Sequence, residues 1–193
     1  MPKEKCEFTV TENELCEIIG SWENLLLACN YISDHPEYFG LLMKVALNDS
    51  TERSWRASWL VNKIQEKQPG LFEPYIDQVI DFIQQTSDNS KKREFLRLLS
   101  LYPVPEEKEA AMLDYCVRQL TSAGEPVSVR VHAMQILFNI SEKEPDFKPE
   151  LIHLIEHETG FHPSAGICSR GNRLLHKLYK QNSRAESKDK PDQ

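Results

Sequence analysis

Apolar residues recur at helical spacing along almost the whole chain. In SWENLLLACNYISDH, Leu25, Leu26, Cys29 and Ile32 follow at i, i+1, i+4 and i+7, with Ser21 placed to cap the start. PEYFGLLMKVALNDS opens on Pro36, whose missing N–H costs nothing in a first helical turn, and halts at Asn48-Asp49-Ser50. TERSWRASWLVNKIQEK follows, with Thr51 as its expected cap. The spacing continues through FEPYIDQVIDFIQQ, SKKREFLRLLSLY, PEEKEAAMLDYCVRQL, PVSVRVHAMQILFNISEK, KPELIHLIEHE and SRGNRLLHKLYKQ. Each is bounded by Pro, Gly, Asn, Asp, Ser or Thr, and none alternates with period two. The pattern predicts roughly ten helices and no sheet.

These helices come in pairs. The second helix of four successive pairs carries an arginine near its start, at Arg56, Arg93, Arg130 and Arg170, in steps of 37, 37 and 40 residues. Pro-bearing joints separate the pairs. Two of them match closely: Ile64, Glu66, Lys67, Pro69, Phe72 and Pro74 against Ile140, Glu142, Lys143, Pro145, Phe147 and Pro149. In each, the first proline ends a helix it cannot continue, the aromatic is placed to plug the gap between layers, and the second proline starts the next helix. A period near 40 with two helices per unit is the mark of an α-solenoid.

Two stretches, NDSTERSWRASWLVNKI and AGEPVSVRVHAMQILFNI, resemble HEAT repeats, in which a turn with Asp or Pro precedes a helix carrying Val-Arg and a small residue. The second is the better match, through Pro126, Val129, Arg130, Ala133 and Leu137; in the first, Arg56 and Ala57 are adjacent and the pattern departs. The resemblance spans about residues 12–180. It implies an all-α fold, an α-α superhelix of HEAT/ARM type with about five helix pairs. The C-terminal half, through VRVHAMQILFNISEKEPDFKPELI and PSAGICSRGNRLL, is also similar to a bacterial family of small HEAT-like proteins, which implies fold and no activity. Residues 1–181 are expected to form a single domain. Residues 182–193, with no apolar side chain beyond Ala185, are expected to form a disordered polar tail.

Composition narrows the function classes. The chain of 193 residues holds only 7 glycines and has no G-x-G-x-x-G or Walker-type run, so no phosphate-cradling loop is written in it and no cofactor is expected. A net charge of −7 argues against nucleic acid as a general partner, because phosphate neutralisation needs surplus Lys and Arg. The charge is uneven: residues 1–50 are acidic, and from 160 onward Arg170, Arg173, Lys177, Lys180, Arg184, Lys188 and Lys190 outnumber the acids. Five cysteines form no C-x-x-C pair, and four lie in apolar helical patterns, as reduced thiols do. No run suits a signal peptide or a membrane span, so a cytoplasmic home is expected.

Four features could carry chemistry. His153 and His157 in HLIEH spell the inverted zinc-protease motif beside Glu156, but a third ligand would have to come from Glu158 on the same helix, Glu186 in the tail, or His162 folding back. The competing reading is an amphipathic helix with Leu151, Leu154 and Ile155 inward. Arg56, Arg93, Arg130 and Arg170 could line the concave face as a track for a carboxylate-rich peptide or a phosphate backbone, or could bond turn residues and carbonyls internally. Arg173, with Gly166 and Gly171 nearby, could add an anion site; close packing of the last helix explains the glycines equally well. Trp55 and Trp59, with Arg56 between, could grip a base or an aromatic side chain, with core filling the favoured role for Trp59.

No G-x-S-x-G elbow or Cys–His pairing supports nucleophilic catalysis, and the Ser-rich loop of helical lyases is absent. The expected function is therefore a non-enzymatic scaffold that binds a protein or peptide on its concave face through Arg56, Arg93, Arg130, Arg170, Arg173 and Trp55, without a membrane role. The alternative is a HEAT-like DNA-repair enzyme of alkylpurine glycosylase type, or a DNA-binding relative of one.

Overall fold

A computed structural model describes residues 10–50 and 52–188. Among these residues the chain is all-helical, with α1 (Glu12–Gly20), α2 (Trp22–Asp34), α3 (Phe39–Ala46), α4 (Trp55–Lys67), α5 (Ile76–Ile83), α6 (Asn89–Leu99), α7 (Glu106–Thr121), α8 (Val127–Lys143), α9 (Lys148–Phe161) and α10 (Ala165–Lys188). The all-α expectation holds. Thr51, the expected cap of α4, lies outside the described residues. The helix itself begins at Trp55, after a turn in which Arg53 takes a left-handed φ of 61°.

Local chemistry accounts for the helix ends. Thr11 and Glu14 form a reciprocal capping box on α1: Glu14 N–H donates to Thr11 Oγ1 at 3.3 Å, and Thr11 N–H donates to Glu14 Oε2 at 2.8 Å. Asp88 caps α6 by accepting from the N–H groups of Ser90 at 2.8 Å and Lys91 at 3.3 Å. Three joints share one device. His35, Gln68 and Glu144, each preceding a proline, hold ψ at 71°, 77° and 80°, outside the helical region that proline disfavours for its predecessor. Each proline then opens a short 3-10 turn, at Pro36–Tyr38, Pro69–Leu71 and Pro145–Phe147. Of the two aromatics expected to plug these joints, Phe72 is fully buried and Phe147 half-buried.

The chain divides into two compact units, Met1–Phe82 and Ile83–Gln193. In the first, α4 packs on α2 and α3, and α1 on α2. Its core gathers Ile19, Leu25, Leu42, Leu60, Val61 and Ile64. In the second, α8 is the central helix, packed on α6, α7, α9 and α10. There Phe95, Met112, Cys116, Leu137, Ile155 and Leu174 are fully buried, each side chain contributing about 1.5–3 kcal/mol on burial.

Bonds one repeat apart tie neighbouring pairs within each unit. Lys67 Nζ, on α4, donates to Asn30 Oδ1 on α2 at 2.9 Å. Its counterpart in the matching joint, Lys143, donates to the Val104 carbonyl and to Glu109 Oε2, both at 2.8 Å. Asn139 Nδ2 reaches the Ser100 carbonyl at 2.9 Å. The α10 helix runs on past 181 to Lys188, because the sequence offers no glycine or proline to stop it before Pro191. Residues 189–193 of the expected tail lie outside the described residues.

Candidate functional site

The four periodic arginines do not share one role. Arg56, in the first turn of α4, is buried, and its Nη1 donates to the carbonyls of Ile19, at 3.0 Å, and Gly20. It thereby satisfies the orphan C-terminal carbonyls of α1, where Arg53 Nη1 also reaches Gly20 O at 3.0 Å. Arg130, in the first turn of α8, does the same for α7: Nε donates to the Leu120 carbonyl at 2.9 Å. Its Nη2 donates to Glu158 Oε2 on α9, and both side chains are buried. Both guanidinium groups therefore hold helices together within their own unit.

Arg93, Arg170 and Arg173 stand differently. Arg93 forks onto Glu94 Oε1 at 3.0 and 2.9 Å while its side chain stays 40% exposed. Arg170 Nη1 and Arg173 Nη2 both point at one neutral atom, Gln135 Oε1 on α8, at 2.7 and 3.4 Å. His132 lies one turn before Gln135. Its Nδ1 is buried without a hydrogen-bond partner among the described residues. Burial, and after it the charges of Arg170, Arg97 and Arg93, push its pKa down to about 4, so the ring is neutral. The helices α6, α8 and α10 thus bring four arginines to one face around a neutral imidazole. Burial and the neighbouring Arg173 also lower the Arg170 pKa.

A hollow of about 270 Å³ opens beside this cluster, lined by Val131, Gly166, Ser169, Arg170 and Arg173. The glycines owe their place to close packing. A Cβ on Gly166 would lie 2.8 Å from Val127 Cγ1, and one on Gly171 would lie 2.5 Å from Thr159 Cγ2. Because α10 sits this close to α8 and α9, Arg170 and Arg173 project from a fixed position.

Trp55 belongs to an aromatic cluster in the first unit. The exposed Trp22 ring meets Trp55 at 5.6 Å and Trp59 at 6.3 Å, both edge-on, and the Arg56 guanidinium lies 4.8 Å from the Trp22 ring centre. Trp59 is half-buried. The same unit holds an apolar hollow of about 320 Å³ lined by Leu15, Ile18, Leu27, Ala28, Tyr31 and Tyr38, among others.

The HLIEH string lies on α9. His153 is exposed, with Nδ1 3.7 Å from Glu156 Oε2; His157 Nδ1 lies 3.1 Å from Glu158 Oε1. Of the three residues expected inward, Leu151 and Ile155 are buried and Leu154 is half-buried, while Glu158 is buried against Arg130. Among the described residues no three His, Cys, Asp or Glu groups come together so as to hold a metal ion. Cys16, Cys29, Cys116 and Cys168 are free thiols, and burial pushes that of Cys116 far up, which suppresses the reactive thiolate.

The sequence pattern singles out Arg93, Arg170, Arg173 and Trp55 as candidates but not Trp22, His132 and Gln135, which the structure places beside them. His132 and Gln135 sit at i+2 and i+5 from Arg130, inside a helix whose apolar pattern draws the eye. Trp22 is the first residue of α2, where an exposed indole leaves no periodic trace.

The profile of the HEAT repeat domain matches residues 13–178. No curated protein and no solved structure matches the chain. Among the described residues no helix is long and apolar enough to cross a membrane.

Proposed function

Because the chain belongs to the HEAT repeat domain family, we propose that it is a non-enzymatic scaffold that holds an acidic segment of a protein or peptide partner. The observation that carries this reading is the gathering of Arg93, Arg97, Arg170 and Arg173 on one face of α6, α8 and α10, in a chain whose net charge is −7. Cations concentrated against the overall charge attract anionic segments and suppress binding of basic ones. Guanidinium forks take carboxylates in bidentate pairs. Exposed pairs of this kind contribute only about 0.2–1 kcal/mol each, so several must act together. Arg56 and Arg130 are outside this reading, since both are buried and their donors serve carbonyls and an acid of the chain itself; Arg93 also meets Glu94 but keeps its side chain at the surface.

The test is a titration of the full chain with a fluorescent Asp/Glu-rich peptide and its Lys-rich counterpart, across salt concentrations. The acidic peptide should bind, weaken with salt, and lose about tenfold or more in affinity when Arg93, Arg170 and Arg173 are changed together to Gln. No binding of the acidic peptide even at low salt ends the proposal. A second reading, the DNA-repair enzyme, draws on the exposed Trp22 with Trp55, Trp59 and Arg56. Salt-dependent binding of duplex DNA tighter than that of the acidic peptide would favour it.

A further inference from the structure

We propose that Arg170, Arg173 and Gln135 form a subsite for a phosphate monoester, so that the acidic segment held by this face carries a phosphorylated side chain. The inference rests on the scaffold reading and names the group its tightest contact takes.

Two guanidinium groups converge on a single amide oxygen, at 2.7 and 3.4 Å, and neither pairs with an acid among the described residues. Several other cations of this unit find anions: Lys92 meets Glu125 at 3.1 Å, Arg93 meets Glu94, and Arg130 meets Glu158. At Gln135 the like charges share a neutral acceptor that cannot cancel either. The amide is also held from behind, because Gln135 Nε2 donates to Asn139 Oδ1 at 2.9 Å. Its oxygen thus keeps both forks aimed at one point while competing only weakly with an ionised acceptor.

The charge count selects the ligand. His132 is neutral, so the two arginines leave a local charge of two with no counterion paired to them among the described residues. A carboxylate supplies one negative charge; a phosphate monoester supplies about −1.5 to −2 at pH 7 and three strong acceptor oxygens. The adjoining hollow of about 270 Å³ has room for that group and the side chain bearing it. Ser169, exposed on its wall, offers a hydroxyl donor, and the opening turn of α10 adds the positive end of a long helix.

The experiment is calorimetric titration of the full chain with three versions of one acidic peptide, bearing Ser, phosphoserine or Glu at a central position, with duplex DNA as a fourth ligand. Phosphoserine should bind about tenfold or more tightly than Glu, and the advantage should shrink as pH falls through about 6, where the phosphate takes up its second proton. Arg173→Gln, at an exposed site, and Arg170→Gln should each bring phosphoserine down to the level of Glu. Arg93→Gln should weaken all three peptides and leave their ratio intact. Equal affinity for phosphoserine and Glu overturns the subsite and leaves the scaffold reading standing. Failure of all three peptides overturns both, and duplex DNA binding more tightly than the phosphopeptide, lost with the same two arginines, assigns the cluster to a nucleic-acid backbone instead.

Discussion

Arg130 and Glu158 form a buried ion pair between α8 and α9, closed on one side by the Leu120 carbonyl and on the other by His157. Removing one partner leaves the other charged, buried and uncompensated. Arg130→Met or Glu158→Gln should each cost about 3–5 kcal/mol in urea unfolding. The double variant Arg130→Met with Glu158→Leu should recover much of that loss, because two apolar side chains leave no stranded charge. Equal loss in the single and double variants would mean that shape, not charge, dominates the site.

Two of the arginines proposed to face a partner should behave oppositely. Arg170→Gln and Arg173→Gln should each change unfolding free energy by no more than about 0.5 kcal/mol, as surface substitutions do, whereas Arg93→Gln, which takes a cation from the buried Glu94, should cost more. Circular-dichroism melts of the Arg170 and Arg173 variants beside Arg56→Gln separate the groups, since Arg56 supports the end of α1 and its loss should lower the melting temperature clearly.

His132 predicts a pH dependence. Its folded pKa, about 4, lies below its ordinary value of 6.5, and the charged groups acting on it, Arg170 from α10 with Arg97 and Arg93 from α6, are all cations. Between those values the unfolded chain binds a proton that the fold rejects, so stability is full above about pH 6.5 and falls as pH drops toward 4. The loss attributable to this residue is on the order of 3 kcal/mol. Denaturation at pH 7 and pH 4.5 of the natural chain and of His132→Asn measures it: the variant should lose less on acidification. An identical slope in both would assign the acid sensitivity to the carboxylates.

Two glycines should respond to alanine with opposite signs. At Gly171 the new methyl would meet Thr159 and Ile155 at 2.5 and 3.1 Å, and prising α10 from α9 should cost about 1–3 kcal/mol. At Gly160 nothing lies within 4 Å, so alanine's helix preference should add about 0.5–1 kcal/mol. Thermal melts of the two variants check both.

Much of the fold was legible in the sequence because apolar spacing and proline placement act locally. Ile64 to Pro74 and Ile140 to Pro149 spell the same joint, and each folds into the same bend before a 3-10 turn. The arginine positions were legible too, but their bonds were not. The acid that Arg130 finds lies 28 residues on, in a string whose histidine spacing points to metal, and its burial depends on how α9 packs. Periodicity gives Arg56 and Arg93 equal standing. Packing alone decides that one sits against the last carbonyls of α1 and the other stays at the surface. The convergence of Arg170 and Arg173 on Gln135 joins residues 35 and 38 positions apart, and no local rule couples them.

The lysines of the matching joints work as rulers. Lys67 finds Asn30 across 37 residues, and Lys143 finds Val104 across 39. One residue inserted into α4 ahead of Lys67, or into α8 ahead of Lys143, would swing the lysine about 100° around its helix axis and off its acceptor. One inserted into a turn could bulge out and leave the bond intact. Duplication or loss during evolution would then be tolerated in whole repeats or at turn tips, and purged elsewhere. A chain of this kind can change in length readily and in phase hardly at all.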